Sequence, residues 1–236
     1  MKAVAVELNE FRDALERNAE RYEVELTAAG IERLAAYYQL LLEWNLRAHL
    51  VAPCTPDEFA TRHVLESLLL LPHLSRDARI ADVGSGAGLP IIPVLIVRPD
   101  VRATLIESSK RKSVFLREAL RITELPKQAI VIGERFENIS APTADCVSCR
   151  ALDGFTKLFS TLVRWAPAGS ALLLFGGEAL RKTIGQAGLD YKLIHIPDSD
   201  RRFLFVIKSE PPAVLTLSNN FNGDELLTGD HKFSRR

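Results

Sequence analysis

The stretch from Arg79 to Pro90 constrains the fold more than any other part of this sequence. It begins with a short, largely apolar run, Ile80–Val83, which is typical of a buried strand. A loop with glycine at positions 84, 86 and 88 follows, and an apolar segment from Leu89 predicts a helix directly after it. Because glycine has no Cβ, such a loop can turn sharply and bring main-chain N–H groups close to a ligand. The stretch therefore predicts the ligand-binding crevice of an open α/β sheet.

The spacing of the glycines separates two classes of nucleotide-like ligand. A dinucleotide-binding loop has the pattern Gly-x-Gly-x-x-Gly, whereas here the third glycine comes one residue early and Leu89 takes its place. Asp82 lies two residues before the loop. Glu107 ends the next apolar run, Ala103–Ile106, where a carboxylate can accept hydrogen bonds from ribose hydroxyls. The pattern favours S-adenosylmethionine over a nicotinamide dinucleotide.

The composition and the net charge limit the classes of protein to which this chain can belong. The 236 residues have a formal net charge of zero, with 47% apolar and 25% charged residues, as in an ordinary globular protein. Because the net charge is zero, a nucleic-acid partner has to be held by a local basic patch. No apolar run is long enough to span a membrane, and the first residues are too charged for a signal peptide. We therefore expect a cytoplasmic protein without a membrane partner.

The cysteines give little support to a metal or disulfide site. There are three, Cys54, Cys146 and Cys149, and the last two have a metal-like spacing without a second pair. They also fall in a predicted strand, where residues three apart face opposite sides of the sheet. We interpret them as core residues and expect no bound metal.

Downstream of Asp77, short apolar runs alternate with helical segments. The predicted strands are Ile80–Val83, Ala103–Ile106, Ala129–Ile132, Asp145–Cys149, Ala171–Phe175, Leu193–Ile196 and Phe203–Ile207. The predicted helices among them are Leu89–Val97, Lys110–Ile122, Phe155–Trp165 and Glu178–Ala187. This alternation indicates a mostly parallel sheet covered on both faces. Residues 197–202 are too few for a parallel crossover, so the last two strands are predicted to form an antiparallel hairpin.

Three further helices are predicted ahead of the sheet, over residues 1–22, from Ala28, and through residues 56–71. Thr27 can cap the second helix, and Thr55–Glu58 is a capping box for the third. Arg62, His63 and Glu66 fall on about one face of the third helix. Taken alone, that pattern favours a solvated face with an internal ion pair. The chain thus divides into a helical extension (1–76), a sheet domain (77–210) and a polar tail (211–236).

Together these motifs resemble one family, the small-subunit ribosomal RNA guanine-N7 methyltransferases, also called glucose-inhibited division protein B. The resemblance covers about Ala28 to Lys208 and rests on the order and spacing of several short motifs. They are Glu43-Trp44-Asn45, Arg62-His63 to Glu66-Ser67, Asp82 to Pro90, Ile96 to Pro99, Glu107 to Leu116, Cys149-Arg150-Ala151 and Arg202 to Lys208. The resemblance implies an α/β, class I S-adenosylmethionine-dependent methyltransferase (Rossmann-like) fold, with a seven-stranded, mostly parallel sheet and one reversed strand. It also implies methyl transfer to N7 of a guanine in the 530 loop of 16S rRNA, on the RNA or the 30S subunit.

The resemblance also implies site residues. The family's cofactor positions correspond to Gly84 and Leu89 in the loop, to Phe136 and Glu137 after the third strand, and to Arg150 after the fourth. The loop pattern adds Asp82, Gly86, Gly88 and Glu107 to the set of candidate cofactor-binding residues. We expect the glycine amides to face the amino-acid end of the cofactor, Glu107 to bind the ribose, and Phe136 to contact adenine or to be core.

The chain departs from the family pattern in four places. His49-Leu50-Val51 replaces Asn-Leu-Thr, Glu66 replaces an aspartate, and Phe175-Gly176 replaces Lys-Gly. The polar tail also extends past the usual end. Loss of that lysine removes a contact that we expect to reach phosphate or base, so the departure bears on the substrate more than on the cofactor.

Methylation of guanine N7 requires little of the protein. The nitrogen already exposes a lone pair, so we expect no general base, nucleophile or metal, and we take Arg150 as the candidate catalytic residue that orients the reactants. The candidate RNA-binding residues are Lys110, Arg111 and Lys112 at a helix start, with Arg62, His63 and Arg202. Two alternatives stay open, a small-molecule methyltransferase and a non-catalytic RNA-binding or assembly factor. We expect a monomer.

Overall fold

The computed structural model describes residues 2–150 and 154–208, with side chains from residue 5 onward. The predicted polar tail, 211–236, and Ala151 of the Cys-Arg-Ala motif lie outside the described residues.

Within the described residues, one sheet of seven strands forms the centre of the molecule. The strands are β1 (Arg79–Val83), β2 (Arg102–Ile106), β3 (Ala129–Ile132), β4 (Cys146–Arg150), β5 (Ala171–Gly176), β6 (Lys192–His195) and β7 (Phe203–Lys208). Their order is β3-β2-β1-β4-β5-β7-β6, and β7 is the one strand among them that runs opposite to the other six. All seven predicted strands are confirmed to within one residue at each end, and so is the final hairpin.

The strand order determines where a ligand can bind. β1 lies between β2 and β4, so the chain leaves β1 toward one edge of the sheet and later returns to build the other side. In open α/β sheets the crevice forms at such a switch point, beyond the carboxyl ends of the strands. The glycine loop follows β1 at this edge.

The predicted helices are all present, but the first ends at Asn18 and the third at Leu68, each a few residues earlier than predicted, and there are two further differences. They are α1 (Lys2–Asn18), α2 (Ala28–Ala48), α3 (Pro56–Phe59), α4 (Glu66–Leu68), α5 (Ile91–Val97), α6 (Lys110–Ile122), α7 (Phe155–Trp165) and α8 (Glu178–Gln186). The capping box is confirmed, since Thr55 Oγ1 accepts from the Glu58 amide at 3.1 Å and Glu58 Oε2 accepts from the Thr55 amide at 3.0 Å. The predicted third helix is π-helical in its middle, over Ala60–Leu65, so α3 and α4 are its two ends. α5 begins two residues later than predicted because the loop keeps turning through Pro90.

The two faces of the sheet bury separate apolar clusters. One contains the aromatic stack of Phe11, Tyr38 and Phe59, whose neighbouring ring centroids are 4.6 Å apart, together with residues of α5, α6 and the strands. The N-terminal helices therefore share one continuous core with the sheet. Cys146 lies in this cluster and Cys149 in the other, which confirms that they face opposite sides.

Neither a metal cluster nor a membrane span occurs in the described part of the chain. No group of three or more His, Cys, Asp or Glu side chains there is placed to hold a metal ion. None of the helices there is long and apolar enough to cross a membrane.

Gly88 connects the glycine loop to the core behind it. Its φ is +83°, and a Cβ at this position would lie 2.3 Å from Ile92 Cδ1 and 3.2 Å from Leu116 Cδ2, both buried. Gly169 has a similar φ, +79°, with nothing within 4 Å of its Cβ position. A side chain at Gly88 therefore adds a steric clash to the same backbone strain.

We predict that Gly88→Ala lowers the free energy of unfolding by at least about 1 kcal/mol more than Gly169→Ala does, because overpacking adds to the shared cost of positive φ. Urea unfolding of both variants measures the difference. Equal losses would show that Ile92 and Leu116 move aside freely.

Candidate active site

A cavity of about 500 Å³ opens at the carboxyl ends of β1, β2 and β4. Its lining includes the glycine loop, the ends of these strands and a short segment after α2. The lining residues are Leu50, Val51, Ala52, His63, Val83, Gly84, Ser85, Gly86, Ala87, Leu89, Ile106, Glu107, Ser108, Lys112, Glu134, Arg135, Phe136, Glu137, Arg150 and Leu158. The cavity therefore lies at the switch point of the sheet.

Most of the predicted cofactor residues line this cavity, and several predicted RNA-binding residues do not. The residues brought together there are Gly84, Gly86, Leu89, Glu107, Phe136, Glu137 and Arg150, joined by His63 and Lys112. The residues outside the lining are Asp82, Gly88, Arg62, Lys110, Arg111 and Arg202. Asp82 and Gly88 support the loop from behind.

Glu107 holds together the two elements that form the mouth of the cavity. Its Oε2 accepts a hydrogen bond from the Gly86 amide at 2.9 Å, and its Oε1 accepts from the Ser109 amide at 2.7 Å. The carboxylate thus ties the glycine loop to the start of α6. A carboxylate has about four lone-pair sites, so each oxygen keeps capacity for a further donor such as a ribose hydroxyl.

The loop amides divide into two sets, which differs from the sequence expectation. The amides of Gly84 and Gly86 donate within the protein, to the Ile106 carbonyl at 2.9 Å and to Glu107. The Ala87 amide has no acceptor among the described residues, although the Ala87 carbonyl accepts from the buried Tyr37 hydroxyl at 2.6 Å. The glycines therefore shape the loop, and the amides of Ala87 and Leu89, which have no acceptor among the described residues, are the loop donors left for a ligand.

Asp82 lies beneath the loop and is 1% exposed. Its Oδ1 accepts from the Ser148 hydroxyl at 2.7 Å, while its Oδ2 has no hydrogen-bond partner in the described structure. Burial raises the pKa of Asp82 to about 7, against the opposing effect of the Ser148 hydrogen bond. The residue is thus a buried support whose charge is costly to keep.

Phe136 is both core and cavity wall. The side chain is 3% exposed, packs edge-on against Trp165 at 5.5 Å between centroids, and lines the cavity on its other side. Trp165 is fixed in turn because its indole N–H donates to the Ile139 carbonyl at 2.8 Å. The neighbouring Glu137 pairs with Arg135 at 3.1 Å on the rim.

The segment after α2 is a part of the site that sequence reasoning missed. Leu50, Val51 and Ala52 line the cavity, and Asn45 holds them in place. Asn45 Oδ1 accepts from the Leu50 and Val51 amides at 2.7 and 3.0 Å, and its Nδ2 donates to the Val51 carbonyl at 3.0 Å. These bonds involve main-chain atoms, so they tolerate the departure from Asn-Leu-Thr. The Trp44-Asn45 motif was the available signal.

The predicted solvated face of the third helix is wrong for Glu66. Its side chain is 1% exposed and lies between two arginines, Arg150 at 3.3 Å and Arg202 at 2.5 Å. Arg62 pairs instead with the exposed Glu58 at 3.3 Å. The π-helical segment and the packing of β4 and β7 bring cations to Glu66 that are far from it in sequence. Burial raises the pKa of Glu66, opposed by both arginines.

Arg150 extends from the end of β4 under the π-helical segment. Its guanidinium donates to the carbonyls of Arg62 at 2.6 Å and His63 at 3.4 Å, and it lies 5.5 Å from the centre of the Phe175 ring. Burial lowers the pKa of Arg150. Phe175, in place of the family's lysine, thus offers an aromatic face to a buried cation.

His63 lines the cavity as a neutral imidazole. Burial, with the nearby charges of Arg150 and Arg62, lowers the pKa of His63 to about 4. Its Nδ1 faces the Arg150 guanidinium at 3.4 Å, and because arginine can only donate, the ring proton is assigned to Nε2. His63 is therefore a hydrogen-bond donor at neutral pH and not the cation that the sequence suggested.

The predicted basic cluster is present at the start of α6. Ser109 caps this helix, Lys112 reaches the cavity, and Arg111 donates to the Arg47 carbonyl at 2.6 Å. Lys110, Arg111 and Lys112 form no ion pair with any acid that the structure describes. These three charges are available to an anionic partner.

We predict that Glu66→Gln lowers the free energy of unfolding by about 3 kcal/mol, because it leaves the buried Arg150 without its carboxylate. Urea unfolding checks the value. Glu124→Gln, which breaks the exposed pair with Arg33, should cost less than about 1 kcal/mol. Glu66→Asp keeps the charge and should lose less than Glu66→Gln, and a loss at Glu66 no larger than at Glu124 would contradict a stabilising role.

The raised pKa of Asp82 predicts how the stability of the protein changes with pH. The pKa of this carboxyl is about 7 in the folded protein and about 4 in the unfolded chain. Its contribution to the free energy of unfolding is therefore fully present below about pH 4 and is lost as the pH rises through about 7. Asn mimics the protonated acid. The stability of the wild type relative to Asp82→Asn should therefore fall between about pH 4 and about pH 7 and level off above that.

Urea unfolding of both proteins across this pH range measures that difference. The histidines His63 and His73, whose pKa values are lowered by burial, act on both proteins alike and cancel. A difference that does not change with pH would contradict the raised pKa.

Comparison with known proteins identifies the family. Residues 30–196 match the family model described as rRNA small subunit methyltransferase G. The protein named Ribosomal RNA small subunit methyltransferase G from Xanthomonas axonopodis pv. citri is 41% identical over 167 residues, covering 69% of this chain and 76% of its own length. The protein of the same name from Paracoccus denitrificans is 38% identical over 164 residues, covering 68% of this chain and 83% of its own.

Solved structures agree on the fold. An O-methyltransferase from Bacillus cereus, in complex with SAH, aligns with a TM-score of 0.54 at 13% identity and covers 74% of this chain and 91% of its own. A SAM-dependent methyltransferase from Aquifex aeolicus aligns with a TM-score of 0.51 at 16% identity, covering 64% and 92%. The fold is that of class I S-adenosylmethionine-dependent methyltransferases, and the chain belongs to the rRNA small subunit methyltransferase G family.

Proposed function

We propose that this protein transfers the methyl group of S-adenosylmethionine to N7 of a guanine in the 530 loop of 16S rRNA. The observation that carries the proposal is the cavity at the switch point, with Glu107 and the Ala87 amide at its wall and unpaired cations at its rim. Family membership and the names of the relatives support an rRNA substrate. With such a substrate, we propose a cytoplasmic enzyme.

The residues at the cavity fit the donor. Glu107 would accept hydrogen bonds from the ribose hydroxyls, and Phe136 would cover one face of the adenine, with Glu137 at the adenine edge. The Ala87 amide would donate to the amino-acid end, where Gly84, Gly86 and Leu89 leave space. S-adenosylmethionine supplies an electrophilic methyl group on a positively charged sulfur.

The remaining requirement is orientation. Guanine N7 carries an exposed lone pair, so no side chain has to remove a proton before attack. Holding the two reactants in line can itself supply on the order of 7–11 kcal/mol of the barrier reduction. Arg150 acts as a positioning residue here, because its guanidinium is engaged with the carbonyls beside His63.

His63 is the side chain that can recognise the major-groove edge of the target guanine. Guanine presents N7 and O6 as adjacent acceptors on its major-groove edge. A neutral imidazole with its proton on Nε2 can donate to O6 while leaving N7 free to attack. A charged imidazolium is not required, in agreement with the lowered pKa of His63.

Lys110, Arg111 and Lys112 would bind the RNA phosphates beside the cavity. Arg62 and Arg202 contribute less, because each is already paired with a glutamate. The target base has to leave its stack to reach the cavity, so an unpaired loop guanine suits the site. The residues proposed to hold the donor all come from one chain, so a monomer is sufficient.

We predict that the purified protein transfers label from methyl-labelled S-adenosylmethionine to 16S rRNA or 30S subunits, and that the label maps to N7 of one guanine.

Gly86→Asp should abolish donor binding and transfer, because it places a negative charge beside Glu107. Reversal of Lys110 and Arg111 to glutamate should weaken RNA binding at least about tenfold at low salt and leave donor affinity unchanged, because neither residue lines the donor cavity.

Arg121→Glu, at the far end of α6, is the matched charge control and should change neither affinity. Donor binding is measured by calorimetry and RNA binding by fluorescence anisotropy. RNA binding without transfer would favour an assembly factor, and transfer to small molecules alone would favour a small-molecule methyltransferase. Either result would reject the proposal.

A further inference from the structure

A second groove lies beside the candidate active site, between the end of α2 and the start of α6. Its lining residues are Glu43, Trp44, Arg47 and Arg111. None of them belongs to the donor cavity, and the proposed reaction uses only Arg111 among them. The combination of an indole, two guanidiniums and one carboxylate requires a separate explanation.

Trp44 is a rigid aromatic wall of this groove. The side chain is only partly buried, and its ring packs edge-on against the fully buried Phe115, with centroids 5.8 Å apart. Packing against the core therefore holds the indole while part of it stays accessible in the groove. An aromatic ring of this kind is a surface on which a nucleic-acid base can stack.

The charge of the groove suits a phosphodiester. Arg47 and Arg111 are exposed, and neither pairs with an acid among the residues that the structure describes. The Arg111 guanidinium donates to the Arg47 carbonyl at 2.6 Å, which brings it over the end of α2. Glu43 receives one hydrogen bond, from Gln39 at 3.3 Å, and keeps acceptor capacity for an amino group of a base.

Residues that line the groove are neighbours in sequence of residues that line or hold the donor cavity. Asn45, next to Trp44 in sequence, holds Leu50 and Val51 on the cavity side. Lys112, next to Arg111, also lines the cavity. A nucleotide chain whose guanine enters the cavity would thus pass the groove with an adjacent nucleotide.

We propose that this groove binds a nucleotide of single-stranded RNA that flanks the target guanine, with its base stacked on Trp44 and its phosphate held by Arg47 and Arg111. The inference rests on the proposed function, since it assigns a second contact to the same substrate. It makes the choice of target depend on an unpaired neighbour as well as on the guanine.

The two tryptophans of the chain, Trp44 and Trp165, allow a direct test. In a Trp165→Phe protein, checked for folding by urea unfolding, Trp44 is the only tryptophan emitter. Titration with a short single-stranded RNA that carries one guanine should quench this emission, with the same Kd as fluorescence anisotropy reports. The same sequence as a duplex should quench it much less.

Variants of the groove give the second readout. Trp44→Leu should raise the Kd for that RNA at least about fivefold, Trp44→Phe should raise it less, and donor affinity should stay unchanged in both. Arg47→Glu should raise the Kd about tenfold at low salt. Arg121→Glu makes the same charge change at the other end of α6 and should alter the Kd less than about twofold.

Some outcomes would overturn the inference while leaving the proposed function intact. They are unchanged Trp44 emission at saturating RNA, or wild-type RNA affinity in Trp44→Leu, in a protein that still methylates 16S rRNA. Equal quenching by the duplex would also overturn it. If the wild type transfers no methyl group but RNA quenches Trp44, the groove stands as an RNA site and the proposed reaction fails.

Discussion

The carboxylate of Glu107 joins the two elements on which the candidate site depends. One oxygen accepts from the glycine loop after β1 and the other from the start of α6, so the crevice between them has a defined width. Without this acceptor, two part-buried main-chain N–H groups would lose their protein partner, which costs free energy where water has limited access. The same carboxylate is the residue proposed to bind the ribose. Its structural and ligand-binding roles therefore use the same atoms.

A second buried carboxylate, Glu66, organises the other side of the cavity. It compensates Arg150 and Arg202, and Arg150 in turn donates to the carbonyls of the π-helical segment that carries His63. Buried ion pairs contribute little net stability, but removal of one partner is costly because it leaves a charge without compensation. The arrangement holds a neutral imidazole at the cavity wall. It also explains how phenylalanine is accommodated at position 175, over a buried guanidinium.

Much of the fold could be predicted because its signals are local. Alternation of apolar runs with helical segments indicated the seven strands, and the short connection before β7 indicated the hairpin. The capping box at Thr55 and the loop with three glycines were readable for the same reason, since turn and cap chemistry acts between near neighbours in sequence. The missed parts of the site have no local signature. Leu50 and Val51 reach the cavity through main-chain bonds to Asn45.

The sequence by itself determined the strands, the loop after β1 and the position of Glu107, because these follow from periodicity and from the conformational freedom of glycine. Only the tertiary structure decided that Glu66 is buried between two arginines, that His63 is neutral, and that Gly84 and Gly86 use their amides within the protein. The physical reason is that burial, charge compensation and hydrogen-bond partners depend on residues that are distant in sequence and come together only when the sheet assembles.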